Sequence, residues 1–356
     1  MAQEVQRHET GSEVIMNCAL KNSDRKSFLV VGQESHCQMY IITPKVGQLN
    51  KEKLERKDSA DPVRQRKNRE KSESSVGGGA NVTDSDNEGF KRVYFDIKAA
   101  DSIQTDFTPL EPLQRIVRIS ANGKFMATGG LDGHVRVWNF PRMTKLTDIN
   151  AHKKEIDDLD FSPDNKNILS ISKDGLAIVW SVNTGKEVMK LTWTPPEGVK
   201  YMFKRCRYGN FEGNDSKHRL FTLSNPYGKA GKSKGFLQQW NVETGRLNNI
   251  VGIDESLSAL AVRDDGRFVA VGTMFSGSVS IYIAFSLQKV LNVAGAHAMF
   301  VTGLEFIPVT NKDAPAISSD TEAAVVSFSV DNRICIHSLQ YRREYFLNKF
   351  CIGLLT

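Results

Sequence analysis

Long apolar runs are scarce in this 356-residue chain. No window reaches the roughly 18–20 apolar residues that cross a bilayer as a helix. The nearest approach is the last stretch, YFLNKFCIGLLT. The opening MAQEVQRHET lacks the apolar core of a secretory leader. Cysteine is sparse as well. Cys18, Cys37, Cys206, Cys335 and Cys351 are odd in number, form no C-x-x-C pair and mostly sit in apolar runs. That argues for buried, reduced thiols and against a disulfide framework or a zinc site, so no metal is expected. Neither sign of charge dominates. The net charge of +6 is small for this length and does not mark a dedicated nucleic-acid binder. No Ser/His/Asp set or carboxylate pair stands out, so bond-making chemistry is not expected. Gly231-Lys232-Ser233 ends like a phosphate-binding loop, but that motif needs glycine where Pro226 stands, and the strand-like FLQQW follows where a helix should begin.

What the chain does contain is a repeat. The segment Asp132–Trp138, in GGLDGHVRVW, returns 42 residues later as Asp174–Trp180 in SKDGLAIVW. The same frame fits Lys234–Trp240, Ser276–Tyr282, Asp331–His337 and Glu34–Tyr40. Around each frame lie four short apolar runs separated by turns such as SANGK, SPDNK and RDDGR. Asn, Asp and Gly tolerate the positive φ such turns require, and short β-branched runs between them read as strands.

A repeat of this length with four strands resembles the WD-repeat β-propeller family. The resemblance implies an all-β fold of four-stranded blades, six recognisable here of an expected seven. It also implies a packing network in which the turn Asp bonds a His ahead of the blade's first strand, together with the Trp of the third strand. His152, Asp174 and Trp180 make the fullest set. Asp132, Trp138 and Trp240 belong to the same pattern, as do His297 and Asp331, whose blade carries His337 in place of Trp. A buried, hydrogen-bonded His in such a repeat is a packing device, not a catalyst.

The units run at about 13–107, 110–149, 151–193, 201–253, 255–295 and 296–347, so the propeller is expected over 13–347 after a polar segment, 1–12. The last unit shows no convincing fourth strand, which leaves the ring short of material at its seam. Residues 45–90 interrupt the first unit. Within them, 45–71 carry ten Lys/Arg against five Asp/Glu, followed by SESSVGGGAN and the acidic TDSDNE. Low hydrophobicity with segregated charge predicts a disordered insertion.

Five stretches go beyond the generic pattern: GQESHCQMY, IQTDF, ATGGLDGHVRVW, AHKKEIDDL and GSVSIYIAFSLQ. They are similar to the WD-repeat guanine-nucleotide exchange factors of the COPII pathway, the prolactin regulatory element-binding proteins. This resemblance implies a Sar-type small GTPase and the COPII coat machinery as partners, and a place on the cytosolic face of the endoplasmic reticulum membrane. In that family an additional first blade carries a glycine-rich, potassium-associated loop that drives exchange, and a membrane helix closes the chain. Neither has a full counterpart here. Gly77-Gly78-Gly79 is not equivalent to the loop, and 348–356 read as the start of a truncated anchor. No cofactor and no catalytic residue are therefore assigned, and weakened exchange is expected. A non-catalytic interaction scaffold and a DNA-binding regulator stand as alternatives, although nucleic acid is not an expected partner. For contact with the GTPase the polar candidates are His36, Gln104, Asp106 and Glu155, which fall in the family-like stretches near strand ends.

Overall fold

The computed structural model describes residues 7–11, 13–23, 25–48, 91–211, 214–228, 234–308 and 321–341. Every element among them is a strand. The first sheet holds β1 (Ile15–Asn22), β2 (Ser27–Gln33), β3 (His36–Gln48) and β4 (Lys91–Gln104). The second holds β5 (Gln114–Ile119), β6 (Phe125–Gly130), β7 (His134–Asn139) and β8 (Thr144–Asn150). The third is β9 (Ile156–Phe161), β10 (Asn167–Ser172), β11 (Ala177–Ser181) and β12 (Glu187–Lys190). The fourth is β13 (Tyr201–Phe211), β14 (Asn214–Pro226), β15 (Gly235–Trp240) and β16 (Leu247–Ile253). The fifth is β17 (Leu257–Val262), β18 (Phe268–Thr273), β19 (Val279–Ile283) and β20 (Lys289–Val293). The sixth has three strands among the described residues, β21 (Val301–Phe306), β22 (Thr321–Ser329) and β23 (Ile334–Gln340). All pairings between these strands are antiparallel and consecutive, as four-stranded meanders require.

The blades pack face to face around an axis. First strands β1, β5, β9, β13, β17 and β21 lie side by side in that order. Residues from all six line one central channel of 490 Å³. This is a WD40-type β-propeller. The sequence texture follows from the geometry. Second and third strands are sandwiched between neighbouring blades, so β6, β10 and β18 read as near-continuous buried runs. Fourth strands face solvent at the rim, and β8, β12 and β16 are correspondingly more exposed.

A core fills each interface. Phe28, Met39, Met126 and Trp138 join the first two blades. Ile156, Leu159, Val135 and Val137 join the second and third. Leu169, Leu220 and Trp240 join the third and fourth, Leu237, Val271 and Tyr282 the fourth and fifth, and Ala270, Val279 and Val325 the fifth and sixth. The faces that border the seam are less covered. Met16 and Leu20 on β1 and Phe328, Ile334 and Ile336 on the sixth blade are exposed.

Two sequence expectations need correction. Lys45–Gln48, expected to open the charged insertion, continue β3 and pair with Lys91–Tyr94. Polar side chains here do not prevent a strand, because a two-stranded ribbon beyond the ring has both faces in solvent. The remainder of the insertion, Gly231–Ser233, most of the polar leader and 348–356 lie outside the described residues. The cysteines also divide. Cys37 and Cys206 are buried, Cys335 is half-buried and Cys18 is exposed on β1, beside the central channel.

Candidate functional site

The loops that join second to third strands, and each blade to the next, all emerge at one end of the ring. In the third blade this end is tied by a relay of hydrogen bonds. Trp180 Nε1 donates to Ser170 Oγ at 2.9 Å, Ser170 Oγ meets His152 Nε2 at 2.8 Å, and His152 Nδ1 meets Asp174 Oδ2 at 3.0 Å. Asp174 also accepts from the Leu176 and Lys153 amides. One carboxylate thus fixes its own turn, and with Lys153 and His152 it anchors the incoming loop. Burial holds the His152 imidazole below its ordinary pKa, against the opposing pull of Asp174, so the ring is neutral and donates through Nδ1.

The sixth blade repeats the relay with one exchange. His297 Nδ1 meets Asp331 at 3.2 Å and its Nε2 meets Ser327 Oγ at 2.7 Å. Ser327 Oγ then meets His337 Nε2 at 2.8 Å. Burial, and after it His297, holds His337 below the imidazole range. A neutral imidazole carrying its proton on Nε2 offers one N–H, as an indole does. Burial tends to raise the Asp331 carboxylate, but the Ala298 and Arg333 amides and His297 outweigh it and hold it below its usual range.

The other blades use parts of the device. Trp138 Nε1 donates to Thr128 and Trp240 Nε1 to Thr222, with no His in either relay. In the second blade a buried Arg136 takes over. It binds Asp132 at 2.7 Å and Asp148 at 3.0 Å, and donates to the Thr105 carbonyl at 2.7 Å. The network expectation therefore missed Arg136 and the central hydroxyls. A signal for the hydroxyls was present: Thr128, Ser170 and Ser327 each stand ten residues before Trp138, Trp180 and His337. In the fourth blade the inserted β14–β15 connection stretches that spacing.

The turn glycines hold the loops close. Gly133 and Gly277 have φ of +75° and +60°, and their carbonyls accept from the His152 and His297 amides at 3.0 Å. A Cβ on either would come within 2.4 Å and 2.2 Å of a His carbonyl oxygen.

On this frame the end presents apolar side chains to solvent. Phe107, Leu110, Leu176, Tyr227, Phe275 and Met299 are all exposed, Leu110 at 92%. A cleft of 470 Å³ opens among Leu131, Lys154, Glu155, Lys173, Met202 and Tyr227. Large apolar groups held outward by rigid loops make a surface suited to a partner protein.

The four polar candidates fall in an arc over the first three blades. His36 and Gln104 are exposed and opposite one another on β3 and β4. Gln104 Nε2 donates to the Asp106 carbonyl at 3.1 Å. Glu155 lines the cleft and pairs with Lys173. Asp106 differs, being fully buried. Its carboxylate accepts from the Thr108 and Asp132 amides at 3.0 and 3.2 Å. That side chain shapes a loop and offers nothing to a partner, because the compact turn spends its oxygens internally.

Deeper in the channel Asp158 is gripped by Arg207 at 2.6 Å and Arg118 at 3.4 Å, and accepts from the Cys206 amide. Burial raises a carboxyl pKa, but the two guanidiniums outweigh it and hold Asp158 low. Asp160, half-buried and bonded to the Tyr208 amide, is raised by desolvation. Among the described residues no group of three or more His, Cys, Asp or Glu side chains is placed to hold a metal ion. No helix among them is long and apolar enough to cross a membrane.

The repeat model for the WD domain, G-beta repeat, matches residues 115–139 and 143–181, within the second and third blades. The guanine nucleotide-exchange factor SEC12 of Mus musculus is 33% identical over 98% of this chain and 81% of its own length. The chain belongs to the SEC12 family. The SEC12 protein of Rattus norvegicus matches to the same extent, and SEC12-like protein 1 of Arabidopsis thaliana is 26% identical over 55% of this chain and 46% of its own. Because the SEC12 match spans nearly the whole chain, it takes in the charged insertion and the sixth blade as well as the regular repeats.

Proposed function

We propose that this chain is a guanine-nucleotide exchange factor for a Sar-type small GTPase of the COPII pathway, acting on the cytosolic face of the endoplasmic reticulum membrane. Its SEC12 relationship supports exchange, and the exposed apolar belt at the clasp end carries the choice of surface. The GTPase docks across Leu110, Phe107 and Tyr227, with His36, Gln104 and Glu155 at the polar margin. No bond is made or broken in the protein. Exchange follows from differential affinity: a surface that binds the nucleotide-free GTPase better than its GDP-bound form shifts the population towards nucleotide loss.

The test is GDP release from a Sar-type GTPase, measured with the chain and with Leu110→Asp and Tyr227→Asp variants. The expected result is faster release that both variants weaken without loss of folding. GTPase binding with unchanged release would leave an interaction scaffold instead. Absence of binding would remove the reading altogether.

A further inference from the structure

Both ends of the ring pair some of their cations. At the clasp end several are neutralised locally. Lys173 pairs with Glu155, Lys234 with Asp254 and Arg136 with Asp132. The opposite end carries the hairpins that join first to second and third to fourth strands. There Lys166 pairs with Asp164, Arg263 with Asp265 and Arg267 with Glu322, while Arg25, Lys124, Arg142, Lys186 and Arg246 are exposed and make no ion pair among the described residues. They follow one another across the first four blades, on the β1–β2, β5–β6, β7–β8, β11–β12 and β15–β16 turns. The turns are locked together. Lys21 Nζ donates to the Ala121 carbonyl at 2.5 Å, the Asn122 amide to Asn165 at 3.1 Å, and the Thr192 amide to the Gly245 carbonyl at 3.3 Å.

The arc continues into an aromatic group. Phe285, on the β19–β20 turn, is 69% exposed. The same turn buries Leu287 with φ +57°, and its Phe285 carbonyl accepts from Asn249 at 3.2 Å. The ring is thus held outward beside Arg219, whose guanidinium lies 5.8 Å from its centroid. β23 and the β3–β4 ribbon both run towards this same end.

We propose that this end is a membrane-contacting face, in which the cationic arc lies against anionic phospholipid headgroups and Phe285 enters the interfacial layer. Unpaired cations on a rigid, nearly planar set of turns gain from the negative surface potential of a bilayer. An aromatic side chain adds affinity at the headgroup level. The clasp end then faces away from the membrane, free for a protein partner. The proposal shares with the exchange reading only the choice of membrane, because lipid binding is measured without GTPase or nucleotide.

The experiment is co-sedimentation of the chain with phosphatidylcholine vesicles, with and without phosphatidylserine, at low and high salt. Binding is expected only with phosphatidylserine and is expected to fall with salt. A variant with Arg142→Glu, Lys186→Glu and Arg246→Glu should lose on the order of a hundred-fold in vesicle affinity. The matched control at the other end, Lys153→Glu, Lys154→Glu and Lys200→Glu, should lose little. A chain lacking 49–90 should still bind. The proposal is overturned if phosphatidylserine vesicles do not bind the chain, or if the control set loses as much as the first. It is also overturned if deletion of 49–90 abolishes binding, which would assign the affinity to that basic tract.

Discussion

Ser327 and His337 meet across β22 and β23, Oγ to Nε2 at 2.8 Å, where the third blade sets Ser170 against the Trp180 indole at 2.9 Å. An imidazole thus occupies the indole's place and keeps its hydrogen bond. His337→Phe fills the space without an N–H and leaves Ser327 short of a partner. That change should destabilise the fold by about 1–2 kcal/mol. His337→Trp should cost less than His337→Phe. Urea denaturation of the two variants checks the order.

Acid should weaken the clasps. Burial holds His152 and His337 below the ordinary imidazole value of 6.5. Through that range the unfolded chain binds more protons than the folded one. Stability from these groups is therefore complete above 6.5 and is lost as the pH falls towards their depressed folded values. Unfolding midpoints should drop as the pH falls below about 6.5, and His337→Trp should lessen the drop. A flat profile would contradict the assignment of both rings as buried and neutral.

Gly133 and Gly175 occupy equivalent turns with φ of +75° and +90°. Their surroundings differ. A Cβ at 133 meets the His152 carbonyl oxygen at 2.4 Å, whereas at 175 the nearest atom is the Met202 sulfur at 3.9 Å. Gly175→Ala should cost about 1 kcal/mol, the price of the left-handed backbone alone. Gly133→Ala should cost about 3 kcal/mol, because the crossing loop must also move. Equal losses in chemical denaturation would show that the loop yields freely.

Asp158→Ala leaves Arg118 and Arg207 facing one another in the channel. Breaking a buried pair costs about 3–5 kcal/mol. Here the lower figure applies, since the two arginine side chains keep 24% and 20% exposure. Replacing Asp158 and Arg207 together by apolar residues should recover part of the loss, and a double-mutant cycle measures how much.

The blades were legible because each repeats its own instructions. Asp174 and Trp180 restate Asp132 and Trp138 at one interval, and burial on both faces makes the second and third strands uniformly apolar. The His152 and His297 clasps followed from the same repetition. Arg136 did not, because it lies inside a strand and reaches its partners from positions no spacing rule links. Asp106 was misplaced for a related reason: a polar residue near a strand end can point out or fold back, and only the Thr108 and Asp132 amides decide it. The exposed apolar belt was least visible. Leu110 or Phe275 looks like a core residue in sequence, and its exposure depends on which loops the ring brings to one end.

The β3–β4 ribbon closes on a single rung, Gln48 opposite Lys91. Two chain ends so placed are one interstrand spacing apart, about 5 Å. A guest domain whose own termini are adjacent could replace everything between them without pulling on the propeller. That makes this rung a natural graft point for a fluorescent reporter, which would leave the clasp loops at the far end undisturbed.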